Sequence, residues 1–408
     1  MTTKVPTFLI ALFVVGFGLS ASSTPAAAWD ASDATEALRT GQQLVKDQNW
    51  KEATDRLLLV LENDDATGDD VVASLKSLDI CRRQLGAVDA TDQQLGLAIE
   101  HHGNDYRVLS EAARQIVNSY HFGVVADQEF IRGYGGLDGS AGTQVDVQLQ
   151  DWLQAVGWLR RAIAAAEAEG LQATSQEIGK LYLQFAEVWL GQRSNRRAWQ
   201  LTSLTDISQE LVYTNVDPIT HAPLRAAPVD RSGQPILHAL PESWELAQTD
   251  GERLRWLLKQ AEQSPATAWE ARLKWAQFLE SQFSVKTLQA YGWGRRRSNN
   301  KPSDQFALHT LAENETLAQL ANGVRRFELP DEHNPIRVFQ QISAADAPRG
   351  YRSPQATAAY ALVDIFLDRR QYTQAEKLLR AALDKFADFP QGQKRRIARQ
   401  YCPAASAI

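Results

Sequence analysis

Apolar residues return at every third and fourth position along most of the chain, as at Leu254, Leu257, Leu258 and Ala261. That spacing predicts amphipathic helices rather than strands. Start signals agree. Thr249 with Glu252 three residues later forms a capping box, and Asn334 before Pro335 places a proline in a first helical turn. Strand-like alternation is rare, so the expected fold is all-α, built from paired helices.

One stretch, NWKEATDRLLLVL (49–61), carries more apolar surface than a single helix can hide. Gly41 stands twelve residues before Ala53, with Leu44 between them and Leu57 after. Small residues where two helices cross, with larger ones filling the groove, give the spacing of a tetratricopeptide repeat. The register of Trp50, Ala53, Leu57 and Val60 returns in Tyr372, Ala375, Leu379 and Ala382, with Ala359, Leu362 and Phe366 on the preceding helix. A weaker third match is Ala186, Trp189 and Ala198. Two good matches and one poor one predict a degenerate tetratricopeptide-like superhelix, in which each pair hides its face by stacking on neighbours.

Three segments interrupt the helices: the glycine-rich 132–143 (RGYGGLDGSAGT), the proline-rich 213–243, and the basic loop 292–302 (GWGRRRSNNKP). The proline-rich stretch separates an N-terminal lobe (29–212) from a C-terminal lobe (244–400), whose repeat-like pair falls near 355–388. Being long, it is expected to be functional or draped over the helices. Residues 401–408 form an atypical tail. Residues 1–28 read as a signal peptide: Lys4, then an apolar run from Phe8 to Leu19 too short to span a bilayer, then Ala26-Ala27-Ala28 with cleavage after Ala28. The expected location is secreted or periplasmic, with no membrane span once the leader is removed.

Composition narrows this further. Hydrophobic content of 44% with 23% charged residues describes a globular chain. The net charge of −6, or −7 without Lys4, supplies no basic face for a nucleic acid. Export permits a disulfide between Cys81 and Cys402, but Cys81 follows Leu78 and Ile80 on a helix and reads as a buried thiol. Without Cys-x-x-Cys, neither a redox motif nor a zinc knuckle is indicated.

Candidate chemistry is sparse. The glycine-rich stretch lacks the Gly-Lys-Ser/Thr ending of a phosphate loop, and Asp138 occupies the last glycine of a dinucleotide motif. It reads as a helix-to-helix loop. His101 and His102 are sequence neighbours that point to different sides of a helix, so no metal site is expected. Arg295, Arg296, Arg297 and Lys301 beside Trp293 read as a solvated loop. Trp269 and Trp275 read as core. Glu242-Ser243 superficially resembles the catalytic start of a lytic transglycosylase, an exported superhelical enzyme with a single Glu acid. The Gly-Leu-Met-Gln-type segment that should follow is missing.

Four segments stand out in order: Tyr120-His121-Phe122-Gly123 with Phe130, Arg132 and Gly133; Leu204-Thr205-Asp206 leading to Ala227-Pro228-Val229-Asp230, Gly233 and Pro235; Asp250-Gly251-Glu252-Arg253 with Trp256; and 308–332, with Glu313, Glu315, Ala318, Leu320, Ala321, Gly323, Arg326, Phe327, Leu329 and Pro330. Together they resemble the N-terminal helical region of large exported bacterial alpha-2-macroglobulin-like proteins, particularly the planctomycete type. Gly323 reads as the end of a helix, and Leu329-Pro330 as a turn before the next.

The resemblance implies a helical arm preceding β-sandwich macroglobulin domains, in proteins thought to trap proteases or defend the envelope. Some members carry a Cys-x-Glu-Gln thioester. Here Cys81 continues as Arg-Arg-Gln and Cys402 as Pro-Ala-Ala, so no thioester is expected. The expected function is a non-enzymatic scaffold, without cofactor or metal, that binds protein partners such as proteases or envelope proteins. The chain is expected to be a truncated or frameshifted part of a longer protein. The alternative is a stand-alone protein-binding scaffold of the envelope.

Overall fold

The computed structural model describes residues 31–126, 129–133, 142–191, 193, 195–207, 214–215, 226–289, 307–346 and 353–386. Five helices open it: α1 (Ala31–Lys46), α2 (Trp50–Leu61), α3 (Gly68–Leu85), α4 (Ala90–His102) and α5 (Tyr106–Val117). The predicted pairing of α1 with α2 is present. Ala53, Leu57 and Val60 are fully buried, and a Cβ on Gly41 would come within 2.7 Å of the Leu57 side chain. Trp50 is half-buried against the same core. α3 starts where the Thr67 side chain accepts from the Asp70 N–H and stops at Gly86, whose φ of 68° is the left-handed conformation a helix end needs. Cys81 is a buried free thiol, its pKa pushed up by that burial.

The chain is mostly helical with few strands, consistent with the all-α class expected, and those few strands fall where helices or loops were expected. β1 (Phe122–Ala126), β2 (Glu129–Arg132), β3 (Thr143–Asp146) and β4 (Thr214–Asn215) form an antiparallel sheet in the order β2-β1-β3-β4. The glycine-rich stretch therefore does not join two helices. Arg132 ends β2 and Thr143 begins β3, and both strands pair with β1. Residues 134–141 between them lie outside the described residues. The local reason is the β-branched pair Val124-Val125 beside Phe122, which suits a pleated, half-buried surface.

α6 (Gln148–Ala168) and α7 (Gln176–Leu190) follow, then a 3-10 helix (Asn195–Thr202) and α8 (Asp250–Ala261), α9 (Ala268–Phe283) and α10 (Lys286–Gln289). The Thr249 cap is as predicted, accepting from the Glu252 N–H at 3.2 Å. The Glu252 carboxylate returns one residue earlier than expected, to the Gln248 N–H at 2.6 Å. Ala186 and Ala198 are both buried, but they do not form a repeat pair. Ala186 lies on α7 and Ala198 on the 3-10 helix, because Gly191 ends α7 with a positive φ. Gly179 gives the close crossing here. A Cβ would meet the Thr267 hydroxyl at 2.3 Å and the Ser264 Cβ at 2.6 Å. One hydrophobic cluster runs from Ala34 to Ala375, continuing through α7 and α8 on either side of the proline-rich stretch. Ala227 bonds with Gln319 and Ala321 at 3.0 and 2.9 Å, and Val229 bridges Pro235.

β5 (Glu315–Leu320) and β6 (Gly323–Glu328) form a two-stranded hairpin. This corrects the reading of Gly323 as a helix end. Its φ of 120° serves the tight turn between Leu320 and Gly323. Glu, Leu, Ala and Gln favour a helix, but Asn322-Gly323 is a strong hairpin signal. α11 (Pro335–Ala344), α12 (Pro354–Asp368) and α13 (Tyr372–Lys385) complete the described chain. The Asn334 side chain accepts from the Ile336 N–H at 2.9 Å, with Pro335 in the first turn as predicted. In the α12–α13 pair, Ala359, Ala375, Leu379 and Ala382 are buried, whereas Tyr372 is 63% exposed. Tyr372 therefore does not pack as Trp50 does. It begins α13 with its ring in solvent. Among the described residues, no helix is long and apolar enough to cross a membrane.

Candidate functional site

The end of α7, the 3-10 helix and the start of α8 converge on Asp250, which is fully buried. Its carboxylate accepts from Arg193 Nη1 (2.5 Å), the Thr205 hydroxyl (2.5 Å) and the Thr205 N–H (2.9 Å). Its carbonyl accepts from Trp189 Nε1 at 2.9 Å, and its N–H donates to the Ser203 carbonyl at 2.8 Å. Around it stands an aromatic cluster. Trp189 lies 4.7 Å from Trp244 and 5.0 Å from Trp152, centroid to centroid. The Arg193 guanidinium sits over Trp152 and Trp189, and that of Arg253 over Trp244. Such cation–ring stacking keeps a desolvated guanidinium favourable. Burial pulls both arginines below their ordinary pKa, and Asp250 opposes the shift.

A second charged knot lies beside it. Arg132 is 2% exposed. It donates to Asp151 at 2.8 and 2.9 Å, to Asp92 at 2.9 and 2.6 Å, and to the Tyr120 carbonyl at 2.6 Å. Burial pulls the Arg132 pKa down, but the two carboxylates outweigh it, so the group ends well above the usual arginine value. Asp151 also meets His121 Nδ1 at 2.7 Å. The knot ties α4, the sheet and α6 together.

Between these clusters opens a cavity of about 730 Å³, within the ~300–1,000 Å³ range of ligand clefts. Its walls come from the end of α5, the start of α6, the end of α7 and the 3-10 helix. Val117, Leu149, Trp152, Val188 and Leu190 supply apolar surface, Arg114, Glu187, Arg193 and Arg197 the charges, and His121 an imidazole. Trp152 Nε1 donates to the Val188 carbonyl at 2.7 Å, which fixes its ring in the wall.

A third cluster, built on the buried His238 and His333, joins the segment before α8 to the turn before α11. The His238 carbonyl accepts from Arg255 Nη1 at 2.8 Å and lies 3.0 Å from His333 Nε2. The His238 ring packs by Phe278, and that of His333 by Trp275. Glu332 pairs with Arg255 at 2.6 Å and lies 3.5 Å from His333 Nδ1. His238 Nδ1 is buried without a hydrogen-bond partner among the described residues. Burial, with the charges of His333 and Arg255, lowers the His238 pKa to about 4, and burial also lowers that of His333. The folded state thus holds His238 neutral, while the unfolded chain takes up a proton near the ordinary 6.5. The stabilising contribution is complete above pH 6.5. It falls as pH drops towards 4 and is gone below that, a loss of about 3 kcal/mol. Denaturant titrations of wild type and His238→Gln at pH 7.5 and 5 should show wild type losing about 2 kcal/mol more. Parallel losses would rule out His238 as the cause.

The predicted packing residues, Tyr372 excepted, sit in or against the core rather than in this cavity. Ala28, Arg295, Arg296, Arg297, Lys301 and Cys402 lie outside the described residues. Glu242 is exposed, and the hydroxyl of neighbouring Ser243 accepts from the Leu246 N–H at 3.3 Å. His101 and His102 take different partners, Asp64 at 2.7 Å and the Leu61 carbonyl at 3.1 Å. Sequence reasoning missed the cavity and both charged knots. The segments quoted for the resemblance do meet: His121 and Arg132 share Asp151, Thr205 bonds Asp250, and the Gly233 carbonyl accepts from Asn322 and Arg325. No protein-family model matches the chain, and no curated protein matches it.

Proposed function

We propose that the chain is a non-enzymatic, exported helical scaffold that holds a protein partner. In this reading its helix pairs are degenerate tetratricopeptide-like repeats of a two-lobed superhelix. The region acts as the N-terminal arm of a macroglobulin-like protease-trapping or envelope-defence protein, as the resemblance of its segments implies. The observation that carries the scaffold reading is how the cavity's charges are spent. His121 is tied to Asp151, Arg193 to Asp250, Glu187 to Lys274 at 2.5 Å, and Arg114 to Glu111. Fixed in this way, these side chains brace the walls of a docking cleft. An antibody to the α1–α5 region, used on fractions of the native cell, should find the protein in the exported fraction. Recovery in the cytosol alone would overturn the reading.

A further inference from the structure

We propose that the cavity between α5, α6, α7 and the 3-10 helix binds an acidic, partly apolar peptide segment of the partner, with Arg197 as its charge-recognition residue. The proposal rests on the scaffold reading and names the partner's chemistry. Every other charged group of the lining has an internal partner. Arg197, half-buried in the wall, makes no hydrogen bond or ion pair among the described residues. It also breaks the regularity of the 3-10 helix, with φ −112° and ψ 15°. The cavity therefore carries one uncompensated positive charge, and a buried or half-buried charge calls for an anionic partner.

The remaining chemistry suits a peptide. The side-chain amides of Gln148 and Gln200 line the same cavity and are likewise unpaired among the described residues. Each offers a donor and an acceptor, as a peptide backbone requires. Gln184, by contrast, is already occupied by Ser110 through both its amide atoms (2.6 and 2.7 Å). Trp152 and Leu149 supply the apolar wall, and Leu149 is 41% exposed at the rim. Further exposed apolar side chains sit next in sequence to lining residues. Trp199 and Leu204 are 56% and 48% exposed on the 3-10 helix and the residues just after it. Leu246, 58% exposed, lies on the segment bound to them through the Asp250 N–H and the Ser203 carbonyl. Exposed aromatic and leucine side chains beside a cleft are what an extended segment longer than the cleft would cover.

The test uses fluorescently labelled, end-blocked hexapeptide pools with the whole chain, read by anisotropy. One pool is randomised over Asp, Glu, Leu, Phe and Gly. In the other, Lys and Arg replace the acids. The acidic pool should bind wild type. Binding should weaken about tenfold or more in Arg197→Glu, as expected for a lost charge-assisted hydrogen bond turned repulsive. The rim variant Leu149→Ser, at an exposed position, should weaken the apolar part of the interaction without adding charge. Arg39→Glu, remote and exposed, should leave binding unchanged. Equal binding by wild type, Arg197→Glu and Leu149→Ser would place the peptide elsewhere, overturning this site while leaving the scaffold reading standing. Binding of the basic pool instead, or only of phosphatidylglycerol vesicles, would overturn the ligand assignment. Silence from every pool would overturn the site. The scaffold reading would then stand or fall separately, on whether the native protein is recovered with a protein partner.

Discussion

Replacing Asp250 by Ala is expected to cost about 3–5 kcal/mol, the usual penalty for removing one partner of a buried ion pair. Asp250 is fully buried and its carboxylate is shared between Arg193 and both donors of Thr205. Without it, the Arg193 guanidinium remains wedged over Trp152 and Trp189 with no counter-charge. The loss is a large part of the ~5–15 kcal/mol that stabilises a typical domain. Equilibrium denaturation, or soluble yield if the variant does not accumulate, gives the readout. Asp250→Asn retains two of the hydrogen-bond positions and should lose less. A cost below about 1 kcal/mol for Asp250→Ala would mean that water reaches Arg193 and that the cluster is not the strut described.

Asp151→Ala should be similarly damaging, about 3–5 kcal/mol, for a related reason. It removes two bonds from Arg132, whose side chain is 1% exposed, and strips His121 of its Nδ1 partner. Asp92 remains on Arg132, but its side chain is 42% exposed and better hydrated. The sharper test is a double-mutant cycle. Arg132→Met combined with Asp151→Leu removes both charges and leaves no buried ion unpaired. The double variant should therefore be more stable than the sum of the two single losses implies. Additive losses would show that Arg132 and Asp151 act independently.

The parts of the fold that could be read from the chain are those whose cause is local. The caps at Thr249 and Asn334, the apolar face of α8, and the crossing of Gly41 with Leu57 depend on residues close in sequence. The sheet and the β5–β6 hairpin were missed for different reasons. β1 finds its partners through pairing that no single window contains. The hairpin carries strong helix formers, and only Asn322-Gly323 announced the turn. Tyr372 repeats the register of Trp50, yet a register does not say whether a neighbour will cover the ring. The cavity was beyond reach for the same reason as the charged knots. Arg193 and Asp250 are 57 residues apart, and Arg132 and Asp92 are 40 apart. Their meeting is a property of helix stacking rather than of spacing. Arg132, Thr205 and Asp250 stand in the segments quoted for the resemblance, but nothing in those segments tells that Thr205 lines a cleft or that the other two, through Asp151 and Arg193, brace it.

The most direct test of the macroglobulin-like arm is the intact mass of the native polypeptide recovered from the exported fraction with an antibody to α1–α5. The expected species is much heavier than the 45.4 kDa of this chain, yields tryptic peptides from β-sandwich macroglobulin domains, and comes away with a protein partner. A species no heavier than this chain, recovered without a protein partner, would contradict both the arm and the scaffold.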